Sequence, residues 1–252
     1  MVDAWPADPR LVKASPNASG LETVRLDAIA LLLAGEVRNL IDELPQDDAA
    51  AGFVVTELEA SLNALRLGIT NAFTEELFAA LAFCRVLVES AIRLVWLLSR
   101  GSDERNVRIS MGRLEKRDIQ QLLSASRSIN ESSSFGHIVQ SPESIAQYLD
   151  SLDHPAAPEL RQMADQAGWG WLYGIHRFCS TMLHPGLGVR SRISEIVAPH
   201  TYAVLLYLAF SLSADSGGQV GRALFPQAGI QLPRNAFVLE RRGIVELDDL
   251  VP

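Results

Sequence analysis

The sequence predicts an all-α protein: a single bundle-like domain of long antiparallel helices. Three observations lead there. Apolar residues recur at i, i+3, i+4 and i+7 over most of the chain, and no run shows the alternation of a half-buried strand. Proline, glycine and small polar residues fall between these periodic runs, where helices stop and start. At 252 residues, with 48% hydrophobic and 21% charged side chains, the chain can bury a sizeable core.

Residues 1–20 carry Pro6, Pro9 and Pro16 and read as an irregular arm. The helical domain is expected over 21–215, with an irregular tail over 216–252. A first helix runs Leu21–Leu44, closed by Pro45, and a second from about Asp47 to Leu67. Thr70 or Asn71 is a candidate cap for a third, Ala72–Ser99, which Gly101 ends. Ser102 or Asp103 then caps a charged helix to about Ser126. Ser124–Ser134 holds six serines in eleven residues and reads as a loop. Ser141-Pro142 places a cap before a proline at the first helical position, predicting a helix over 142–152. A short helix begins near Pro158, another covers Trp169–His184 up to Pro185-Gly186, and a nearly all-apolar one covers Pro199–Asp215. Phe237–Val251 reads as a short helix or hairpin-like tail.

The N-terminus has no basic start followed by an apolar run, so no secretory signal is read there. Charges interrupt Leu81–Leu98, and Tyr202–Leu212 is too short to span a bilayer, so a cytoplasmic protein with no membrane partner is expected. Cys84 and Cys179 sit inside apolar helical patterns and read as reduced core thiols, with a disulfide between them as the alternative. The net charge of −8 disfavours nonspecific wrapping of nucleic acid but leaves room for a local basic pocket. Six basic side chains among residues 100–117 (Arg100, Arg105, Arg108, Arg113, Lys116, Arg117) face three acids and read as a solvated helix face. No cofactor is expected, because neither GxGxxG nor a P-loop occurs. No metal site is expected either, because HExxH and CxxC are missing and the five histidines are scattered.

Two constellations carry chemistry. The helix WGWLYGIHRFCSTMLH brings Arg177 and His184 to within about 20° on one face, after seven steps of about 100°. Arginine can hold an anion and histidine can move a proton near neutral pH. Arg190 and Arg192 follow in the next loop and add to an anion site. The plain alternative is that Arg177 lies along the surface and His184 caps the last turn, where a cation suits the helix dipole.

The second constellation is Arg85, Glu89 and Arg93, spaced i,i+4 on an otherwise apolar helix. It reads either as a structural ion-pair ladder or as the other wall of the same pocket. A shared pocket requires Glu89 to lie within about 4–6 Å of Arg177 or His184, the range over which a charge shifts a neighbour's pKa.

Arg177-FCSTML-His184 resembles the R-x4-6-H motif of the HEPN superfamily, with Phe178 where that family usually carries Asn, Asp or His. The resemblance implies an all-α fold, a homodimer and metal-independent binding or cleavage of RNA or a nucleotide. Arg177 and His184 would then be catalytic, and Arg190, Arg192, Arg85, Glu89 and Arg93 would contact substrate. A non-catalytic dimeric scaffold or small-ligand binder, and a small-molecule enzyme using Glu89 and His184 as an acid–base pair, are the rival readings.

Overall fold

A computed structural model of the chain describes residues 33–73, 77–101, 103–131, 142–183 and 199–232. Eight helices pack together, and no strand occurs among the described residues. They are α1 (33–43), α2 (Ala49–Phe73), α3 (Leu77–Ser99), α4 (Glu104–Glu131), α5 (Pro142–Ser151), α6 (Leu160–Ala167), α7 (Gly170–Leu183) and α8 (Pro199–Leu224). No described helix is long and apolar enough to cross a membrane.

α3 is the hub of the bundle. Leu81, Leu87, Val88, Ile92, Leu94 and Trp96 are buried on almost every side of it, against α2, α8, α7 and α6. A helix that apolar is stable only inside other helices. Cross-helix contacts fix the directions. Glu57 meets Arg93 and Gly68 meets Phe83, so α2 and α3 run antiparallel. Ser61 and Ser213 share a 2.7 Å hydroxyl contact while Gly68 faces Leu206, which sets α8 antiparallel to α2. Arg93 meets Asp118 and Trp96 meets Arg113, reversing α4 against α3. Arg85 contacts His176 and Trp96 donates to Gln166 at 3.0 Å, so the α6–α7 pair also runs against α3. The expected antiparallel layout is present.

Local signals explain most boundaries. The Asp48 carboxylate accepts from the amides of Ala50 and Ala51 at 2.7 and 3.2 Å, capping α2. Asp103 does the same for α4 through the Asn106 amide at 3.0 Å. Gly168 (φ +78°) takes the left-handed turn that ends α6, its amide bonding back into the helix, and α7 starts two residues later.

Other boundaries move. Thr70 and Asn71 lie inside α2, and the Asn71 amide donates to Leu67 O at 2.7 Å, so neither caps α3. The first part of the serine-rich stretch is helical to Glu131, with the buried Ser126 hydroxyl satisfied by Leu122 O at 2.7 Å. α8 continues to Leu224, nine residues beyond the expected end at Asp215, so residues 216–224 belong to the bundle and not to an irregular tail. The reason is packing: a Cβ on Gly217 would come 2.7 Å from Leu58, and one on Gly221 3.1 Å from Leu44. Glycine here admits close helix approach and does not break the helix.

The residues 1–20, the start of the first helix and the 237–251 tail lie outside the described residues. Cys84 and Cys179 are free and buried, as expected. The basic run over residues 100–117 is not simply a solvated face. Arg113 and Arg100 lie over Trp96, at 5.7 and 5.9 Å, and Arg117 is buried beside Met163.

Candidate functional site

The stripe Arg85–Glu89–Arg93 divides between two neighbourhoods. Its first two residues face α7. On that helix Leu172, Cys179 and Met182 are buried, and His176, four residues after Leu172, falls on the same inward face.

Arg85 Nε donates to His176 Nε2 at 3.3 Å, and Glu89 Oε2 lies 3.9 Å from the same nitrogen. A ring nitrogen that accepts carries no proton, so this contact selects the neutral tautomer with hydrogen on Nδ1. Nδ1 is buried, with no hydrogen-bond partner among the described residues. Tyr173 stacks on the imidazole, centroids 5.9 Å apart and planes 18° from parallel. Burial lowers the His176 pKa below 6.5. Glu89 pulls it back up, while Arg85 and Arg177 press it further down. The imidazole is therefore neutral at pH 7.

One residue on, Arg177 is exposed. Beneath His176, Cys84 and Cys179 meet across α3 and α7. Hydrogen bonding to Cys179 and burial raise the Cys84 pKa, whereas accepting that bond lowers that of Cys179.

Arg93 turns the other way. Its Nε lies 2.8 Å from Glu57 Oε1, and its two terminal nitrogens donate to both Asp118 oxygens at 3.1 and 2.6 Å. The guanidinium sits over the Phe53 ring at 5.6 Å. Burial raises the Glu57 pKa above 4.5, outweighing the downward pull of Arg93. Arg93 is thus held between α2 and α4 by Glu57 and Asp118, as the ion-pair alternative has it, while Arg85 and Glu89 face α7.

Glu89 approaches α7 at His176, 3.9 Å from its Nε2. His184, Arg190 and Arg192 lie outside the described residues. Sequence reasoning passed over His176, Glu57 and Asp118 as site residues. The signal for two of them was available: His176 continues the Leu172–Cys179 face of α7, and Glu57 lies among Val54, Leu58 and Ser61, which are all buried on α2. Asp118 had no such marker on the polar helix α4. No group of three or more His, Cys, Asp or Glu side chains among the described residues is arranged to hold a metal ion. In comparisons with known protein families, characterised proteins and solved structures, none matches this chain.

Proposed function

We propose that this is a HEPN-like helical protein that binds and cleaves RNA, or a related nucleotide phosphodiester, at the exposed edge of α7 without using a metal. The observation that supports it is a neutral histidine, His176, set 3.9 Å from a carboxylate and flanked by Arg85 and the exposed Arg177. A neutral imidazole can take a proton at pH 7, and a nearby carboxylate favours the imidazolium that results.

In the cleavage reaction the ribose 2′-hydroxyl proton passes to His176 Nε2 once Arg85 turns from that nitrogen to the phosphate. The 2′-oxygen attacks phosphorus, the bond to the 5′-oxygen breaks, and the 5′-oxygen takes up a proton. His184 is the group in the sequence motif suited to deliver that proton. Arg177 and Arg85, with Arg190 and Arg192, hold the charge that develops on the phosphate. Two copies of the α7 end facing each other in a homodimer would supply the converging arginine and histidine that one helix cannot. On a single helix, residues seven apart are separated by about 10.5 Å and their side chains lean in parallel.

The test is a metal-free cleavage assay in chelator, with end-group analysis and a solution mass measurement. Expected are cyclic-phosphate and 5′-hydroxyl ends, a mass twice that of one chain, and losses of about 10²–10⁴-fold for His176→Ala. His184→Ala should also abolish turnover. Wild-type protein that neither binds nor cleaves RNA would overturn the reading.

A second reading draws on the same contact. Arg85 already occupies His176 Nε2, as in a structural ion-pair network of a non-catalytic scaffold. In that case His176→Asn lowers stability, and no RNA-dependent signal exists to lose.

A further inference from the structure

We propose that the groove between α2 and α4 is a second binding site, for a small organic cation: a primary amine carried on an apolar body. It is separate from the α7 edge and does not depend on the RNA reading. The groove encloses about 520 Å³, within the usual range for small-molecule sites. Its walls are short or apolar, with Ala49, Gly52 and Phe53 on α2 and Met111 and Ile119 on α4.

Its charges decide the ligand. Arg93 donates both terminal nitrogens to Asp118 and is ion-paired to Glu57, its buried Nε 2.8 Å from Oε1 but not in hydrogen-bonding geometry. Arg108 is likewise engaged, by Asp48 at 3.0 Å and Glu104 at 2.9 Å. Glu115, also on the lining, accepts from the Tyr148 hydroxyl. On the lining two arginines thus stand against three carboxylates, Glu57, Glu115 and Asp118, and Arg108 is already neutralised from outside it by Asp48 and Glu104. The helix N-terminus beside the groove offers nothing to an anion either, because the Asp48 carboxylate already accepts from the amides of Ala50 and Ala51. His154 packs over Gly112, which also lines the groove.

An anion entering here would meet occupied guanidinium groups and surplus negative charge. A cation would find open acceptors. A carboxylate offers about four lone-pair sites, and Asp118, 39% exposed, uses two on Arg93. An ammonium can donate three hydrogen bonds toward Asp118 and Glu57 while its apolar body lies against Phe53, Met111 and Ile119.

The experiment is calorimetric titration of the full chain with three probes of one size: 2-phenylethylamine, 3-phenylpropionate and 2-phenylethanol. The amine is expected to bind saturably with one site per chain. The carboxylate should not bind, and the alcohol should bind at least tenfold more weakly than the amine. Asp118→Asn should weaken the amine at least tenfold. Thr56→Trp, placed on an exposed lining position and leaving every ion pair intact, should abolish binding even if Asp118→Asn fails to fold. Saturable binding of the carboxylate at equal or higher affinity, no amine binding at millimolar concentration, or an unchanged affinity in Thr56→Trp would each overturn the proposal.

Discussion

Arg85 and Arg93 sit two turns apart on one face of α3, yet they work in different chemical settings. Arg85 contacts a neutral imidazole beside a carboxylate that is 41% exposed. Arg93 is 13% exposed and locked by two carboxylates from different helices. The first contact is a single bond to an imidazole that can change protonation and partner. The second joins α2, α3 and α4, and none of its members can leave without stranding another. A helical repeat of charges therefore says where side chains point. The elements packed against each turn decide whether that charge is free for chemistry or committed to the fold.

Substituting each arginine in turn should separate the two settings by stability. Arg93→Ala leaves Glu57 buried beside Asp118 with no counter-charge, and removing one partner of a buried pair typically costs about 3–5 kcal/mol. Arg85→Ala removes one hydrogen bond from a charged donor to a neutral ring, worth about 1.5–3 kcal/mol. Urea unfolding should show this order, and Glu57→Gln added to Arg93→Ala should recover part of the loss. Equal costs for the two arginines would mean that the two halves of α3 do not differ in the way their contacts imply.

Stability also depends on pH with opposite sign in the two halves. Burial holds the His176 pKa below 6.5, so just below that pH the unfolded chain binds a proton that the folded protein refuses. Its contribution is present above pH 6.5 and is lost as pH falls through the depressed value. Burial holds the Glu57 pKa above 4.5, so there the folded protein keeps a proton that the unfolded chain releases. Its contribution is present below pH 4.5 and is lost as pH rises through the elevated value. Subtracting the pH profile of His176→Asn from wild type should leave a rising curve below pH 6.5. Subtracting that of Glu57→Gln should leave a falling one above pH 4.5. Two slopes of the same sign would contradict one of the assigned environments.

These contacts also mark how far the sequence can be read. Helical periodicity recovered the bundle and even the i,i+4 stripe, because both depend on neighbours within one or two turns. It stopped α8 early at Gly217-Gly218 because glycine locally reads as a breaker, and only the approach of Leu58 from α2 explains its place inside a helix. The same limit hid the partners of Arg93. Asp118 follows it by 25 residues on a helix whose own pattern is polar, so its contact exists only after α4 folds back on α3. His176 was legible as an inward position on α7. Its partner Arg85 lies 91 residues away, and no spacing within either helix encodes that pairing.

The smallest expected effect tests the two neighbourhoods through their glycines. Gly52 on α2 and Gly174 on α7 are both exposed inside helices, and a Cβ added at either would meet nothing within 4 Å. Alanine restricts the unfolded chain and suits a helix interior, so each substitution should stabilise the protein by about 0.5–1 kcal/mol. The empty space means different things at the two sites. Gly174 faces open solvent on the helix that carries His176, whereas Gly52 lines the groove between α2 and α4. Gly52→Ala should therefore raise stability and weaken 2-phenylethylamine binding together, because its methyl group occupies part of the ligand's volume. Gly174→Ala should raise stability and leave amine binding unchanged. Thermal unfolding and calorimetry on the same two preparations separate these outcomes. Weakened amine binding in Gly174→Ala, with Gly52→Ala unaffected, would move the amine site away from the α2–α4 groove and towards the helix that carries His176.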